Sequence, residues 1–152
     1  MQYQFSDLYY DNRPDIAAFR YEFNFVLDIF KEADTFEQQS EALFSLKELR
    51  QDFDGQLFVA DVLYSQDTLD DAYYLQNTTF LEQIKDIYHQ LIISFYRELC
   101  NTKFKFQLQN HWGKDLFAQA VFWLKLDEAT KVAQRIWETY SIPSHNILIA
   151  VN

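Results

Sequence analysis

Asp86 and His89, three residues apart, have the spacing in this sequence best suited to metal chemistry. On a helix, an acid three residues before a histidine places both side chains on one face, as in carboxylate-bridged di-iron bundles. Such a centre needs a second pair and two further inward carboxylates. His111 and His145 have no acid three residues earlier. A small carboxylate–histidine enzyme at Asp86 and His89 therefore remains only a minor alternative.

Residues 52–55, Asp-Phe-Asp-Gly, are similar to part of a calcium-binding loop. Aligning Gly55 with the invariant glycine of such a loop places Arg50 at the first ligand position. An arginine cannot coordinate Ca²⁺, because its guanidinium offers only donors. The segment is better interpreted as an acidic turn that ends a helix.

Other catalytic and cofactor motifs are absent from the sequence. It contains no H-E-x-x-H zinc helix, no G-x-S-x-G nucleophile elbow and no glycine-rich phosphate loop. The single cysteine, Cys100, excludes a Cys-based zinc site and an internal disulfide, and its apolar helical pattern predicts a buried structural thiol. The sequon at Asn77 arises readily by chance. No catalytic, cofactor-binding or metal-ligating residue is therefore assigned.

The composition predicts helices to carry these side chains. The chain has 152 residues, of which 49% are hydrophobic, with 15 Phe, 10 Tyr and 3 Trp, so it can bury a core. It has only 2 Gly and 2 Pro, whereas sandwiches and barrels need many turns. We predict a single all-α domain over residues 1–152, an irregular antiparallel bundle of about five to seven helices.

The charge balance restricts the partners. A formal net charge of −10 repels phosphate backbones and anionic lipid, so we expect neither nucleic acid nor membrane as a partner. The N-terminal residues are polar and acidic, which is not typical of a signal peptide, and no apolar run approaches the length of a membrane span. Together with the single cysteine, this predicts a cytoplasmic protein.

Hydrophobic periodicity predicts the first helix. Asn12 and Asp15 mark its beginning, and Pro14 suits its first turn. Two apolar stripes follow, so we expect both faces to be covered. The first stripe is Ile16, Phe19, Phe23, Val26 or Leu27, and Phe30; the second is Tyr21, Phe25 and Ile29.

A capping box at Thr35 and Gln38 predicts the start of a second helix. Lys47 and Arg50 place positive charge in its last turns, as the helix dipole favours. We expect Gly55 to interrupt it, with residues 57–63 continuing as a helix or forming a short strand. Its predicted inward stripe is Phe36, Leu43, Leu46, Leu49 and Phe53.

The second half of the chain is predicted from similar signals. Residues 67–71 form an acidic turn, and Thr79 with Glu82 is a second candidate capping box. We expect Asn101 to cap a further helix that breaks at Gly113. A last helix is predicted from Asp127 towards Pro143, followed by an apolar β-branched run over residues 146–151 that either docks on the core or starts another element.

Three stretches are informative together: Arg13-Pro14-Asp15 with Phe19-Arg20-Tyr21-Glu22-Phe23-Asn24, residues 67–73, and residues 101–125. In order and spacing they resemble the N-terminal helical region of M3 family oligoendopeptidases, the F-type relatives of thimet oligopeptidase. The resemblance covers roughly residues 5–126. The third stretch is the most distinctive because of its Trp-Gly-Lys-x-Leu-Phe sequence.

This resemblance implies a function. Family members are zinc metallopeptidases that cut short peptides inside a deep helical channel. Their zinc helix and downstream glutamate lie in a catalytic region that follows this part and is absent from these 152 residues, so no catalytic residue transfers. The resemblance implies a non-catalytic domain that forms part of the channel wall and is inactive alone. Its partners would be oligopeptides and the catalytic domain, which holds the zinc.

The chain departs from the family pattern at Leu63 and Tyr64, where the relatives carry Arg-His. This departure and the apolar terminal run favour an alternative, in which the chain is a stand-alone helical interaction module without peptidase activity that binds a partner protein.

Overall fold

A computed structural model describes residues 13–66 and 71–151, with side chains over residues 13–64 and 77–140. The described residues form five α-helices and no strand, which confirms the all-α prediction and its range of helix number. The helices are α1 (Ile16–Glu32), α2 (Phe36–Gln66), α3 (Asp71–Asn101), α4 (Lys105–Trp112) and α5 (Lys114–Val151).

Helices α1 and α2 pack antiparallel across a short loop. Phe19, early in α1, stacks on Phe53, with ring centroids 4.4 Å apart. Near the end of α1, the Phe30 carbonyl accepts a 2.9 Å hydrogen bond from Nε2 of Gln39, early in α2. Contacts therefore move backwards along α2 as the chain advances along α1.

Helix α3 also runs antiparallel to α2. Lys85 forms a 2.9 Å ion pair with Asp61, and further along α3 the Tyr96 hydroxyl accepts a 2.6 Å hydrogen bond from Arg50. The order of these two contacts confirms the predicted antiparallel arrangement.

One apolar stripe of α1 forms the core and the other does not. The Asp15 side chain caps the helix by accepting a 3.0 Å hydrogen bond from the Ala18 N–H, as predicted. The expectation that both faces are covered is wrong, because the side chains of Tyr21, Phe25 and Ile29 are 76%, 62% and 45% exposed. The buried stripe is Phe19, Phe23, Leu27 and Phe30.

The capping box of α2 forms with a one-residue shift. Thr35 Oγ1 accepts a 3.2 Å hydrogen bond from the Gln38 N–H. The Gln38 side chain reaches back to the Asp34 N–H at 3.1 Å, rather than to that of the cap residue. The predicted inward stripe is confirmed: Leu43, Leu46 and Phe53 are buried, and Phe36 and Leu49 are partly buried.

Two predicted boundaries are wrong. Gly55 does not interrupt α2, which continues to Gln66, so the strand alternative over residues 57–63 is also wrong. Thr79 lies inside α3 rather than at its start. Packing along the length of a helix outweighs these local signals. Of the predicted acidic turn, residues 67–70 lie outside the described residues, and Asp71 begins α3.

The boundaries around α4 agree only in part with the prediction. Asn101 is the last residue of α3, and Phe104 occupies the N-cap of α4, so Asn101 does not cap that helix. The predicted break at Gly113 is confirmed, since this residue has a φ of 96°.

Helix α5 is a single element of 38 residues. Asp127 lies within it, so the separate last helix is wrong, and the backbone of residues 146–151 continues the same helix. Phe117 and Ala120 are buried in the core and Leu124 is partly buried against it, whereas most large apolar side chains beyond Ala120 are exposed. Those exposed in the distal part are Leu126, Val132, Ile136, Trp137 and Tyr140.

Candidate functional site

His89 pairs with a carboxylate other than the one expected from its sequence spacing. Its Nε2 lies 3.6 Å from Asp127 Oδ1 on α5, and Lys131 Nζ lies 3.0 Å from Asp127 Oδ2. Asp86 is exposed. Over residues 13–64 and 77–140, no group of three or more His, Cys, Asp or Glu side chains is arranged to hold a metal ion. The His89–Asp127 contact joins α3 to α5, whereas the Lys131–Asp127 pair lies within α5.

The candidate calcium segment is helical. Residues 52–55 lie inside α2, so they do not form a loop, and the prediction of a helix-ending turn is wrong as well. Asp54 instead accepts a hydrogen bond from the Tyr88 hydroxyl, and its Oδ2 lies 4.0 Å from Arg50 Nε.

Cys100 and Asn77 are placed for structure rather than for chemistry. The Cys100 thiol is half-buried, and this burial raises its pKa, which lowers the thiolate fraction available as a nucleophile. Asn77 is 2% exposed within α3, so its sequon is inaccessible in the folded domain.

The group of side chains best suited to bind a ligand lines a cleft of about 560 Å³ between α2, α4 and α5. We call it the α2–α4–α5 cleft. Its floor is aromatic and apolar, and its walls carry two cations, two carboxylates and two amides. It is lined by Phe23, Leu46, Lys47, Arg50, Gln51, Asp54, Phe95, Trp112, Asp115, Leu116 and Gln119.

Trp112 and the glycine after it shape one wall of this cleft. The indole Nε1 donates a 3.0 Å hydrogen bond to Ser40 Oγ, which fixes α4 against α2. Lys47 Nζ lies 4.8 Å from the centroid of the Trp112 ring, within cation–π distance. Gly113 takes a backbone conformation that L side chains rarely adopt, and this turn places Asp115 in the first turn of α5.

Arg50 is anchored at the inner wall. Its Nη1 donates a 2.6 Å hydrogen bond to the hydroxyl of Tyr96, which is 1% exposed. Burial alone lowers the pKa of Arg50, but interactions with Tyr96 and Tyr88 outweigh this effect and the pKa is raised. The guanidinium therefore stays charged. Burial, and then the hydrogen bond to Asp54, raise the pKa of Tyr88.

No local pattern in the sequence indicates this cleft as a whole. The charge pattern predicts Lys47 and Arg50 in the last turns of a helix interrupted at Gly55, but α2 continues to Gln66 and both residues lie mid-helix. Their three-residue spacing, which places them on one face, was the available signal. Trp112 and Asp115 join them only through long-range packing.

Comparison with known proteins identifies the fold family. The family model of the peptidase M3 N-terminal domain matches residues 5–126. The chain belongs to this family. The expected resemblance to M3 peptidases is thereby confirmed.

A solved structure supports the M3 assignment. The structure described as PZ peptidase A with inhibitor 2 is 31% identical to this chain, with a TM-score of 0.67. The match covers 82% of this chain and 21% of that one, so the M3 domain described here spans about a fifth of that peptidase. Comparison with curated proteins gives no significant match.

The family match includes the cleft of this M3 domain but not the distal part of α5. The matched residues include Lys47, Arg50, Trp112 and Asp115, whereas the exposed distal part of α5 begins where the match ends, at Leu126.

Of the helices described, none is long and apolar enough to cross a bilayer.

The positions that depart from the family pattern fill the core. Tyr64 is 4% exposed, and Leu63 is partly buried against the same cluster. At the end of α2 these side chains therefore contribute packing.

Proposed function

We propose that this chain is the non-catalytic N-terminal domain of an M3-type zinc oligoendopeptidase and forms part of the wall of a channel for oligopeptides. The observation that carries the proposal is the family match over residues 5–126. The 0.67 TM-score to a peptidase about four times as long supports it further, because the similarity covers the fold as well as the sequence.

The residues of this chain do not fit the zinc ion of such an enzyme. The sequence has no H-E-x-x-H, and the described side chains form no three-ligand group. A zinc ion would polarise the peptide carbonyl and activate water elsewhere in the enzyme. We assign this chain no hydrolytic step, and its role is to shape access and bind peptide.

The exposed apolar side chains support packing against further protein. On distal α5, the side chains of Ile136, Trp137 and Tyr140 are 53%, 73% and 74% exposed. Large apolar patches of this kind mark interaction surfaces. The second stripe of α1, Tyr21, Phe25 and Ile29, is also exposed and apolar.

The same patches favour a second candidate function, a stand-alone module that binds a partner protein through distal α5. In either case we propose a cytoplasmic protein whose partners do not include nucleic acid or membrane, because the chain has one cysteine and a net charge of −10.

The channel-wall proposal can be tested with a chimera. Residues 5–126 would replace the matched fifth of PZ peptidase A, with unaltered PZ peptidase A as the positive control. The zinc-loaded, soluble chimera is expected to cleave a quenched-fluorescent nonapeptide and to spare the same sequence inside a folded protein. A zinc-loaded chimera that cleaves neither substrate, or both, would contradict a channel-wall role.

A further inference from the structure

We propose that the α2–α4–α5 cleft binds the C-terminal carboxylate of a peptide whose last side chain is apolar. The choice of a peptide as ligand rests on the proposed function. The carboxylate specificity rests on the groups that line the cleft.

The two cations of the cleft can still form ion pairs and donate hydrogen bonds to a ligand. Among the described residues, no carboxylate lies within ion-pair distance of Lys47, whose ammonium contacts only the face of the Trp112 ring. Arg50 donates one hydrogen bond to Tyr96, also interacts with the Tyr88 side chain, and holds Asp54 at the long distance of 4.0 Å. A guanidinium has five N–H donors, so several remain for a ligand.

The floor of the cleft suits an apolar side chain next to that carboxylate. Phe23 and Phe95 meet edge to face at its base, with centroids 6.2 Å apart, and Leu116 closes one side. The amides of Gln51 and Gln119 can hydrogen-bond a peptide backbone. The C-terminal residue of a peptide has one carboxylate, one side chain and one backbone amide. These suit the cations, the apolar floor and the glutamine amides of the cleft, respectively.

The acids of the cleft favour a ligand with a single charge. Asp54 is engaged by Tyr88 and Arg50, but Asp115 lies in the first turn of α5, where an acidic side chain interacts favourably with the helix dipole. A ligand with several negative charges would be repelled by Asp115 and by the net charge of −10. A single carboxylate placed beside Lys47 and Arg50 avoids this repulsion.

Calorimetric titration of the full 152-residue chain tests the proposal. The probes are N-acetyl-tetraalanyl-phenylalanine as the free acid and as the C-terminal amide. The free acid is expected to bind about fivefold to tenfold more tightly, the range of a partly exposed charge-assisted contact. Lys47→Gln should remove most of that difference, and Lys47→Arg should restore it.

Lys103→Gln is the matched control. Its ammonium lies 5.1 Å from the Phe104 ring in a similar exposed cation–π contact, but Lys103 does not line the cleft. This variant should keep the full preference for the acid. Circular dichroism of each variant establishes that it is folded.

Three results would overturn the inference: equal affinity for acid and amide, a preference that survives Lys47→Gln, or no saturable binding at millimolar peptide. These results are distinguishable from failure of the proposed function, because the titration needs no catalytic region. A Lys47-dependent preference together with an inactive zinc-loaded chimera would support the cleft and overturn the channel-wall role.

Discussion

Arg50 and Tyr96, 46 residues apart in sequence, are joined by a 2.6 Å hydrogen bond from the guanidinium to the phenolic oxygen. The bond crosses from the middle of α2 to the buried face of α3, and the guanidinium also lies 5.4 Å from the Tyr96 ring centroid. This contact fixes one of the two cations of the cleft, while Lys47 is held only by the ring of Trp112.

Removing the Tyr96 hydroxyl should destabilise the domain modestly. Tyr96→Phe keeps the buried ring but leaves Arg50 Nη1 without the oxygen that accepts its hydrogen bond. Because the Arg50 side chain is 32% exposed, water can replace part of the bond, and we expect a loss of about 1 kcal/mol in the free energy of unfolding. Urea denaturation measures it. Tyr21→Phe, at a 76% exposed position, is the control and should leave the midpoint unchanged.

The two glycines should respond oppositely to alanine. Gly113 has a φ of 96°, so Gly113→Ala should cost about 1–3 kcal/mol although its Cβ would meet no atom within 4 Å. Gly55 lies inside α2 with equally open surroundings, so Gly55→Ala should stabilise by about 0.5–1 kcal/mol. Denaturant midpoints that shift in the same direction for both variants would contradict the assigned backbone conformations.

The raised pKa of Tyr88 should lower the free energy of unfolding at high pH. Burial and the hydrogen bond to Asp54 raise its pKa above the unfolded value of about 10. A raised pKa in the folded state contributes stability that is complete below pH 10. This contribution is lost as the pH rises further, because the unfolded chain then releases the proton first.

The Tyr88 effect can be isolated by comparing unfolding midpoints between pH 8 and pH 11. The parent chain should lose stability more steeply above pH 10 than Tyr88→Phe, which cannot titrate there. Parallel profiles for the two proteins would show that Tyr88 does not carry the effect.

Local sequence signals predicted the parts of this fold that depend on neighbours in sequence. The buried stripe of α1 and the caps at Asp15 and Thr35 all involve residues within a few positions of each other. Gly55 and Thr79 gave wrong boundaries for the same reason. Each is locally a signal for a helix terminus, but tertiary packing stabilises a helix that extends on both sides of it.

The cleft and the exposed faces could not be predicted from the sequence, because both depend on contacts between distant parts of the chain. Periodicity identified the stripe of Tyr21, Phe25 and Ile29 as apolar, but it does not specify what covers a stripe, and within the described structure this one is exposed. Lys47 meets Trp112 across 65 positions of sequence, and no local pattern encodes such a contact.

The central claim is that this chain works as one domain of a larger peptidase. An antibody raised against it, used on an immunoblot of the source cells, tests this most directly. We predict a polypeptide several times heavier than 18.3 kDa, consistent with a domain that spans about a fifth of its structural relative. A band at 18.3 kDa alone would contradict the claim and favour the stand-alone interaction module.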